Sequence, residues 1–197
     1  MRKILYWVHS SLDGYINGPN GEFDWPAVGP ELFEYSYGLN DRVDTFLYGR
    51  VVWDLMSGYW PHAESMSDDE HDLKFAPVWR ATPKIVFSRT LGEAGWGARV
   101  INGNVADEVT ALKQQPGKDL LLTGGSGLAA TLTDLGLIDE YHITIHPVVL
   151  GGGKPLFPAP ADCLNLRLTE SRTFDGKSVL LRYEPAERDE QTGDDGR

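Results

Sequence analysis

The chain is short of the features that would place it in several large protein classes. Its 197 residues include one cysteine, Cys163, so no internal disulfide can form and nothing points to an oxidising compartment. Positive charge is scarce: 18 Lys and Arg stand against 29 Asp and Glu, for a net charge of −11. A nucleic-acid or anionic-membrane binder needs a basic face, and this balance does not supply one. Long apolar runs are missing too. The N-terminal run at residues 4–8 is only about five residues long, too short for a signal-peptide core, and nothing approaches the ~20 apolar residues of a membrane span. A cytoplasmic protein acting on a small molecule, with no nucleic-acid or membrane partner, is the expectation.

What is present is strand–helix alternation. Residues 4–8, 44–48, 84–88, 99–102, 141–150, 164–174 and 177–183 read as strands, from their apolar and β-branched content. The last two are joined at Asp175-Gly176, a strong hairpin signal. Helices are expected at 31–40, after residue 50, at 105–115, and from Ser126, which suits an N-cap, to a stop at Gly136. Residues 57–83 read as a long, partly acidic loop, a solvated insertion or a lid over a site. The order implies an α/β sheet, mostly parallel, with an antiparallel edge. Residues 1–185 form one expected domain; 186–197 carry five acids and two bases and read as a disordered acidic tail.

Three strand ends carry anion-friendly groups. Leu120-Leu121-Leu122 runs into Thr123-Gly124-Gly125-Ser126-Gly127 at a helix start, where glycines let backbone N–H groups approach a phosphate. The literal G-x-G-x-x-A match at 125–130 is a weak dinucleotide fingerprint, because the following strand ends without the acid that motif needs. No full G-x-x-x-x-G-K-[ST] loop occurs. Gly49-Arg50 ends a second strand and Ser88-Arg89-Thr90 a third. One ligand with several phosphates, bound at the carboxyl ends of the strands, accounts for all three.

Other candidates are weaker. His142 and His146 lie about 13 Å apart on a strand rising ~3.3 Å per residue, so no metal is expected there. His62 and His71 fall in the acidic segment and are assigned to the surface, and Cys163 to an inert thiol.

Several blocks together resemble a known family: Ser11-Leu12-Asp13-Gly14-Tyr15-Ile16, Leu47-Tyr48-Gly49-Arg50-Val51-Val52-Trp53, Pro83-Lys84-Ile85-Val86-Phe87-Ser88, and Thr123-Gly124-Gly125-Ser126. The last is followed by Leu137-Ile138-Asp139-Glu140 and Pro147-Val148-Val149-Leu150-Gly151-Gly152-Gly153. The chain resembles the dihydrofolate reductase-like family that includes the C-terminal reductase domain of the bifunctional riboflavin-biosynthesis deaminase–reductase. The resemblance implies a three-layer α/β/α fold with a mixed, mostly parallel central sheet and a C-terminal antiparallel hairpin. It implies an NADPH-dependent oxidoreductase similar to dihydrofolate reductase or 5-amino-6-(5-phosphoribosylamino)uracil reductase, working as a homodimer. An apolar terminal hairpin (Val179, Leu180, Leu181), read as forming a sheet edge needing cover, adds to the dimer expectation.

By position, the resemblance gives Gly49 and Arg50 the cofactor phosphates, and Ser88, Arg89 and Thr90 the 2′-phosphate. It gives Gly124, Gly125, Ser126 and Gly127 the pyrophosphate, and puts His9 and Ile16 beside the nicotinamide. A hydride would pass to a C=N or C=O group of a small, pterin- or pyrimidine-like substrate. The family's carboxylate near the first helix has no clear counterpart: Phe33 falls nearest, and Asp24 and Glu34 are the candidate substitutes, with no spacing argument to select either. The alternative function is a non-catalytic NADP(H)-binding module acting as a sensor or protein partner.

Overall fold

In the computed structural model, residues 1–158 and 162–186 are described. The acidic tail assigned to 186–197 therefore lies, apart from Ala186, outside the described residues. The strands are β1 (Ile4–Ser11), β2 (Tyr15–Asn17), β3 (Val43–Gly49), β4 (Lys84–Phe87), β5 (Arg99–Ile101), β6 (Asp119–Thr123), β7 (Glu140–His146), β8 (Lys154–Pro155), β9 (Leu166–Phe174) and β10 (Ser178–Pro185). The helices are α1 (Pro30–Gly38), α2 (Arg50–Tyr59), α3 (Ala63–Met66), α4 (Glu70–Ala81), α5 (Val105–Gln114) and α6 (Ser126–Asp134).

Eight strands form one sheet in the order β5-β4-β3-β6-β1-β7-β10-β9. The first six run parallel, and β10 lies antiparallel to both β7 and β9. Both faces are covered, which is why β1, β3, β4 and β6 read as almost unbroken apolar runs. On one face Leu5, Phe46, Tyr48, Val86 and Leu121 meet Trp53 of α2 and Trp79 of α4. On the other, Ile4, Tyr6, Leu120 and Leu122 meet Val109 and Leu112 of α5 and Ala129 and Leu132 of α6. The fold is the mixed, mostly parallel α/β/α arrangement expected.

The segment 57–83 is largely helical, with 67–69 and 82–83 outside its helices. Trp79 of α4 is fully buried, lies 6.0 Å from Trp53 ring to ring, and donates its Nε1–H to Tyr48 Oη at 3.1 Å. The polar first half of the segment hides this in the sequence, and so does Pro77, which lacks the N–H that Leu73 would otherwise receive.

The C-terminal hairpin forms one end of the sheet, as expected, with β9 as its outer strand and Val179-Leu180-Leu181 on the inner one. That strand is β10, sandwiched between β7 and β9, with Leu180 fully buried. Asp175 and Gly176 both take left-handed φ values (52° and 62°) at the hairpin turn. The Asp175 carboxylate then accepts the backbone N–H groups of Glu31 (3.1 Å) and Leu32 (3.3 Å), capping the start of α1 from outside it.

A small ribbon, β2 against β8, holds the mouth of the sheet. It ties the 11–16 block to the glycine block. The Asp13 carboxylate accepts from Leu150 N–H (3.1 Å) and Gly151 N–H (2.8 Å), and a Cβ at Gly153 would sit 2.0 Å from Asn17 O.

Candidate functional site

A cavity of about 480 Å³ lies on the α1/α2/α4 face of the sheet. Trp7, His9, Phe46, Tyr48 and Leu121 form its floor. Phe33, Ser36 and Tyr37 of α1 face Val52, Leu55 and Met56 of α2, and Trp60, His71 and Phe75 close one end. Ile16, Asn17, Asp24 and Lys154 stand at the ribbon side. The lining is aromatic and has few formal charges, which suits a flat ring.

His9 is the most constrained polar group on the floor. Its Nδ1 lies 2.8 Å from His146 Nε2, a pairing set by the parallel β1–β7 register. Burial, then the neighbouring His146 and His71, pulls His9 down to about 3, and burial also lowers His146. Both rings are therefore neutral near pH 7. His146 Nδ1 is buried without a partner. A bare acceptor is the less costly of the two orphans, so the tautomers that fit are His146 Nε2–H donating to His9 Nδ1, with His9 protonated on Nε2.

The strand ends of the predicted phosphate turns come together. β4, β3 and β6 are adjacent and parallel, with β1 next in line, so all four carboxyl ends lie along one sheet edge. Gly124 (φ 54°) and Gly125 (φ 68°) are both left-handed and line the cavity; a Cβ at Gly125 would meet Val52 Cγ2 at 2.9 Å. The N-termini of α2 and α6 begin at Gly49 and Gly125 with no side-chain cap and no acid in the first turn. A Cβ on Gly49 would touch Leu128 Cβ at 3.4 Å, which brings the two helix starts side by side.

The expected side chains differ in their availability. Ser126 is not the N-cap: Gly125 holds that position, and Ser126 is completely buried, its Oγ without a partner. Gly127 is exposed. Arg50 is exposed and forms an i,i+4 ion pair with Asp54 at 2.8 Å. Ser88 Oγ accepts from Thr90 N–H (3.3 Å) and Leu91 N–H (3.1 Å), shaping the turn. Arg89 and Thr90 are exposed, and the Arg89 side chain has no hydrogen-bond or ion-pair partner among the described residues.

Of the two candidate acids, Asp24 lines the cavity and is exposed. Glu34 turns to the other flank of α1, into a separate pocket of about 380 Å³ with Tyr35, Arg42, His142, Arg172 and Arg182. Behind that pocket sits Glu140, 5% exposed and ringed by His142 (3.0 Å), Arg42 (3.0 Å), Lys3 (3.1 Å) and Arg182 (3.2 Å). The hydrogen bond from His142, opposed by burial and reinforced by Arg42 and Lys3, holds its carboxyl far below the usual range.

His71, assigned to the surface from its acidic surroundings, instead reaches the cavity. Its ring lies 4.9 Å from Phe33, and its Nδ1 is 3.0 Å from Asp72 Oδ1. The sequence signal available was the helical spacing of His71, Phe75 and Trp79. His62 is exposed, as expected.

Comparison with known proteins fits this picture. Residues 2–180 match the family described as the RibD C-terminal domain. The chain is 41% identical over 182 residues to the uncharacterised protein YyaP of Bacillus subtilis (strain 168), covering 92% of this chain and 94% of YyaP. It is 29% identical over 188 residues to the uncharacterised protein YwjB of the same organism, covering 92% and 97%. A putative riboflavin biosynthesis protein from Shewanella sp. PV-4 superposes with a TM-score of 0.72 at 24% identity, over 94% of this chain and 99% of that one. Dihydrofolate reductase from Enterococcus faecalis, solved with NADP(H), superposes with a TM-score of 0.62 at 13% identity, over 94% and 97%. The structural likenesses establish a dihydrofolate reductase-like fold.

Proposed function

The chain belongs to the RibD C-terminal domain family, and from that premise we propose that it is an NADPH-dependent reductase of a small planar C=N or C=O substrate. One observation carries the reading. Three neighbouring parallel strands end at Ser88-Arg89, Gly49-Arg50 and Gly124-Gly125, in that spatial order, and the next, β1, carries His9 two residues before its end, beside an aromatic cavity. The three steps between them span roughly 14 Å at ~4.8 Å per strand.

The residues present fit the cofactor. The space that a Cβ at Gly125 would fill, and the two uncapped helix starts, suit a diphosphate. Gly49 and Arg50 would hold one phosphate and Gly124, Gly125 and Gly127 the other, with buried Ser126 shaping the turn. Ser88, Arg89 and Thr90 would surround the 2′-phosphate. His9 and Ile16 would border the nicotinamide, which supplies the hydride. Lys154 is the one Lys or Arg on the cavity wall among the described residues, so the lining favours an uncharged pterin- or pyrimidine-like ring over a phosphorylated one.

Titrating NADPH while following nicotinamide fluorescence and thermal stability tests the reading. Saturable binding with a rise in melting temperature is expected; no binding at millimolar cofactor refutes it. The alternative of a non-catalytic NADP(H) sensor draws on Glu34, which leaves α1 without a carboxylate on the cavity wall. Substrate-dependent NADPH oxidation across a panel of dihydropterins, pyrimidines and carbonyl compounds separates the two. A homodimer is part of the proposal, checked by light scattering at micromolar concentration, where a pure monomer refutes it.

A further inference from the structure

We propose that His71, oriented by Asp72, is the group that gives a proton to the substrate in the aromatic cavity. This rests on the reductase reading above. Reducing a C=N bond puts a hydride on carbon and leaves the π pair on nitrogen, which must take up a proton.

The other carboxylate, ammonium and imidazole groups on the wall are poorly placed for that task. Asp24 and Lys154 are exposed, and neither side chain has a hydrogen bond that fixes it among the described residues. His9 is locked to His146, and the pair stays neutral near pH 7.

His71 is held from several sides. Its backbone N–H donates to the Asp69 carboxylate at 2.8 Å, fixing the first turn of α4. Its ring stands among Phe33 (4.9 Å), Trp60 (5.7 Å) and Phe75 (6.0 Å). Nδ1 faces Asp72 Oδ1 at 3.0 Å, while Asp72 Oδ2 accepts the Tyr59 hydroxyl at 2.5 Å. Burial works to raise the Asp72 carboxyl, but hydrogen bonds from Tyr59, His71 and Ser67 outweigh it and keep the group ionised. An ionised carboxylate only accepts, so Nδ1 carries a hydrogen and Nε2 is the atom that gains and gives the mobile proton. Nε2 has no hydrogen-bond partner among the described residues.

The proton balance closes. The imidazolium passes its Nε2 proton to the substrate nitrogen, becomes neutral, and is reprotonated from solvent through the 29% of its side chain that remains exposed. The titratable groups facing the ring are Asp69 and Asp72 on its own helix, Tyr59 at the end of α2 and His9 across the cavity. Asp72 and Tyr59 act as positioning residues.

Two measurements on the full chain test the proposal. Two-bond ¹H–¹⁵N NMR of histidine-labelled protein reads the tautomer without a substrate. It should show His71 protonated on Nδ1, and Asp72→Ala, which removes the acceptor, should abolish that preference. An Nε2–H tautomer in wild type, or a tautomer indifferent to Asp72→Ala, overturns the proposal. The second is NADPH oxidation with 6-methyl-7,8-dihydropterin as the C=N probe. His71→Gln should lower kcat by about 10²- to 10⁴-fold, with NADPH affinity and melting temperature near wild type. Wild-type kcat in His71→Gln overturns the assignment. A wild-type chain that binds no NADPH is a different result: it removes the reductase reading and this proposal with it. The NMR measurement can overturn the assignment even if this dihydropterin is not turned over.

Discussion

Arg89→Ala gives the sharpest check on the proposed cofactor geometry, because this side chain has no partner to lose among the described residues. Arg89 is exposed at the end of β4 and makes no bond within the described chain, so its removal should leave stability within about 0.5 kcal/mol of wild type. A guanidinium–phosphate hydrogen bond contributes about 1.5–3 kcal/mol, and solvent exposure places this one at the low end. At roughly 1.4 kcal/mol per tenfold, NADPH should bind Arg89→Ala about tenfold more weakly. NADH, which lacks the 2′-phosphate, should bind as before. The difference should shrink at 1 M salt, where the Debye length falls to about 3 Å. Arg50→Ala is the matched control. It should weaken NADPH and NADH alike, less the ~0.3–0.5 kcal/mol by which Asp54 already engages the guanidinium. Paired fluorescence titrations with both nucleotides read all of this. An unchanged NADPH/NADH ratio, or NADH affinity falling in step with NADPH, would show that Arg89 does not meet the 2′-phosphate.

Three further outcomes follow from the same structure. Gly125→Ala forces a side chain onto φ 68° and a Cβ to 2.9 Å from Val52; a left-handed cost of about 1–2 kcal/mol implies a melting-temperature drop of roughly 2–8 °C. Adding Val52→Ala should recover part of that loss in calorimetry, and no recovery would dissociate the strain from Val52. Glu140→Gln should cost about 3–5 kcal/mol in urea unfolding at pH 7, since it strands the surrounding cations. The depressed carboxyl stabilises above its unfolded value of ~4.5, and that contribution fades as pH falls below it, so the variant's stability should change less with acid than wild type. His9 works in the same direction at higher pH. Its folded value near 3 lies below the unfolded ~6.5, so stability should fall by up to about 1.4 kcal/mol per pH unit between those values, and His9→Asn should flatten the slope. Equal slopes in the two proteins would place the acid sensitivity elsewhere.

The parts legible in the sequence are those governed by local pattern. Buried parallel strands announce themselves as apolar runs, Asp175-Gly176 as a left-handed turn, and the glycine and arginine positions after strands as phosphate-ready ends. What stayed hidden depends on distant partners. The His9–His146 contact is fixed by the register of two strands 137 residues apart. The β2–β8 ribbon has elements too short to carry a period. In α4 the cavity takes the polar half of the helix and the core takes Trp79, so neither helical face reads as continuous, and Pro77 interrupts the pattern further. The terminal hairpin was legible as the end of the sheet, but apolar content marks burial, so it picks out the inner strand of the pair and not the outermost, β9. Ser126 illustrates a competition: a serine suits an N-cap, but the left-handed backbone needed beside Val52 gives the position to Gly125.

The place of β1 in the sheet also governs how the molecule can be made. The first strand of the chain lies at the centre, and its β7 partner begins about 135 residues later, some 7–27 s of synthesis at 5–20 residues per second. α1 waits longer still, since its cap arrives only with Asp175. The cavity therefore has no early, self-sufficient subunit. Closure of these distant contacts makes folding slow for a domain of this size, and a fragment ending before the hairpin leaves the wall formed by α1 uncapped.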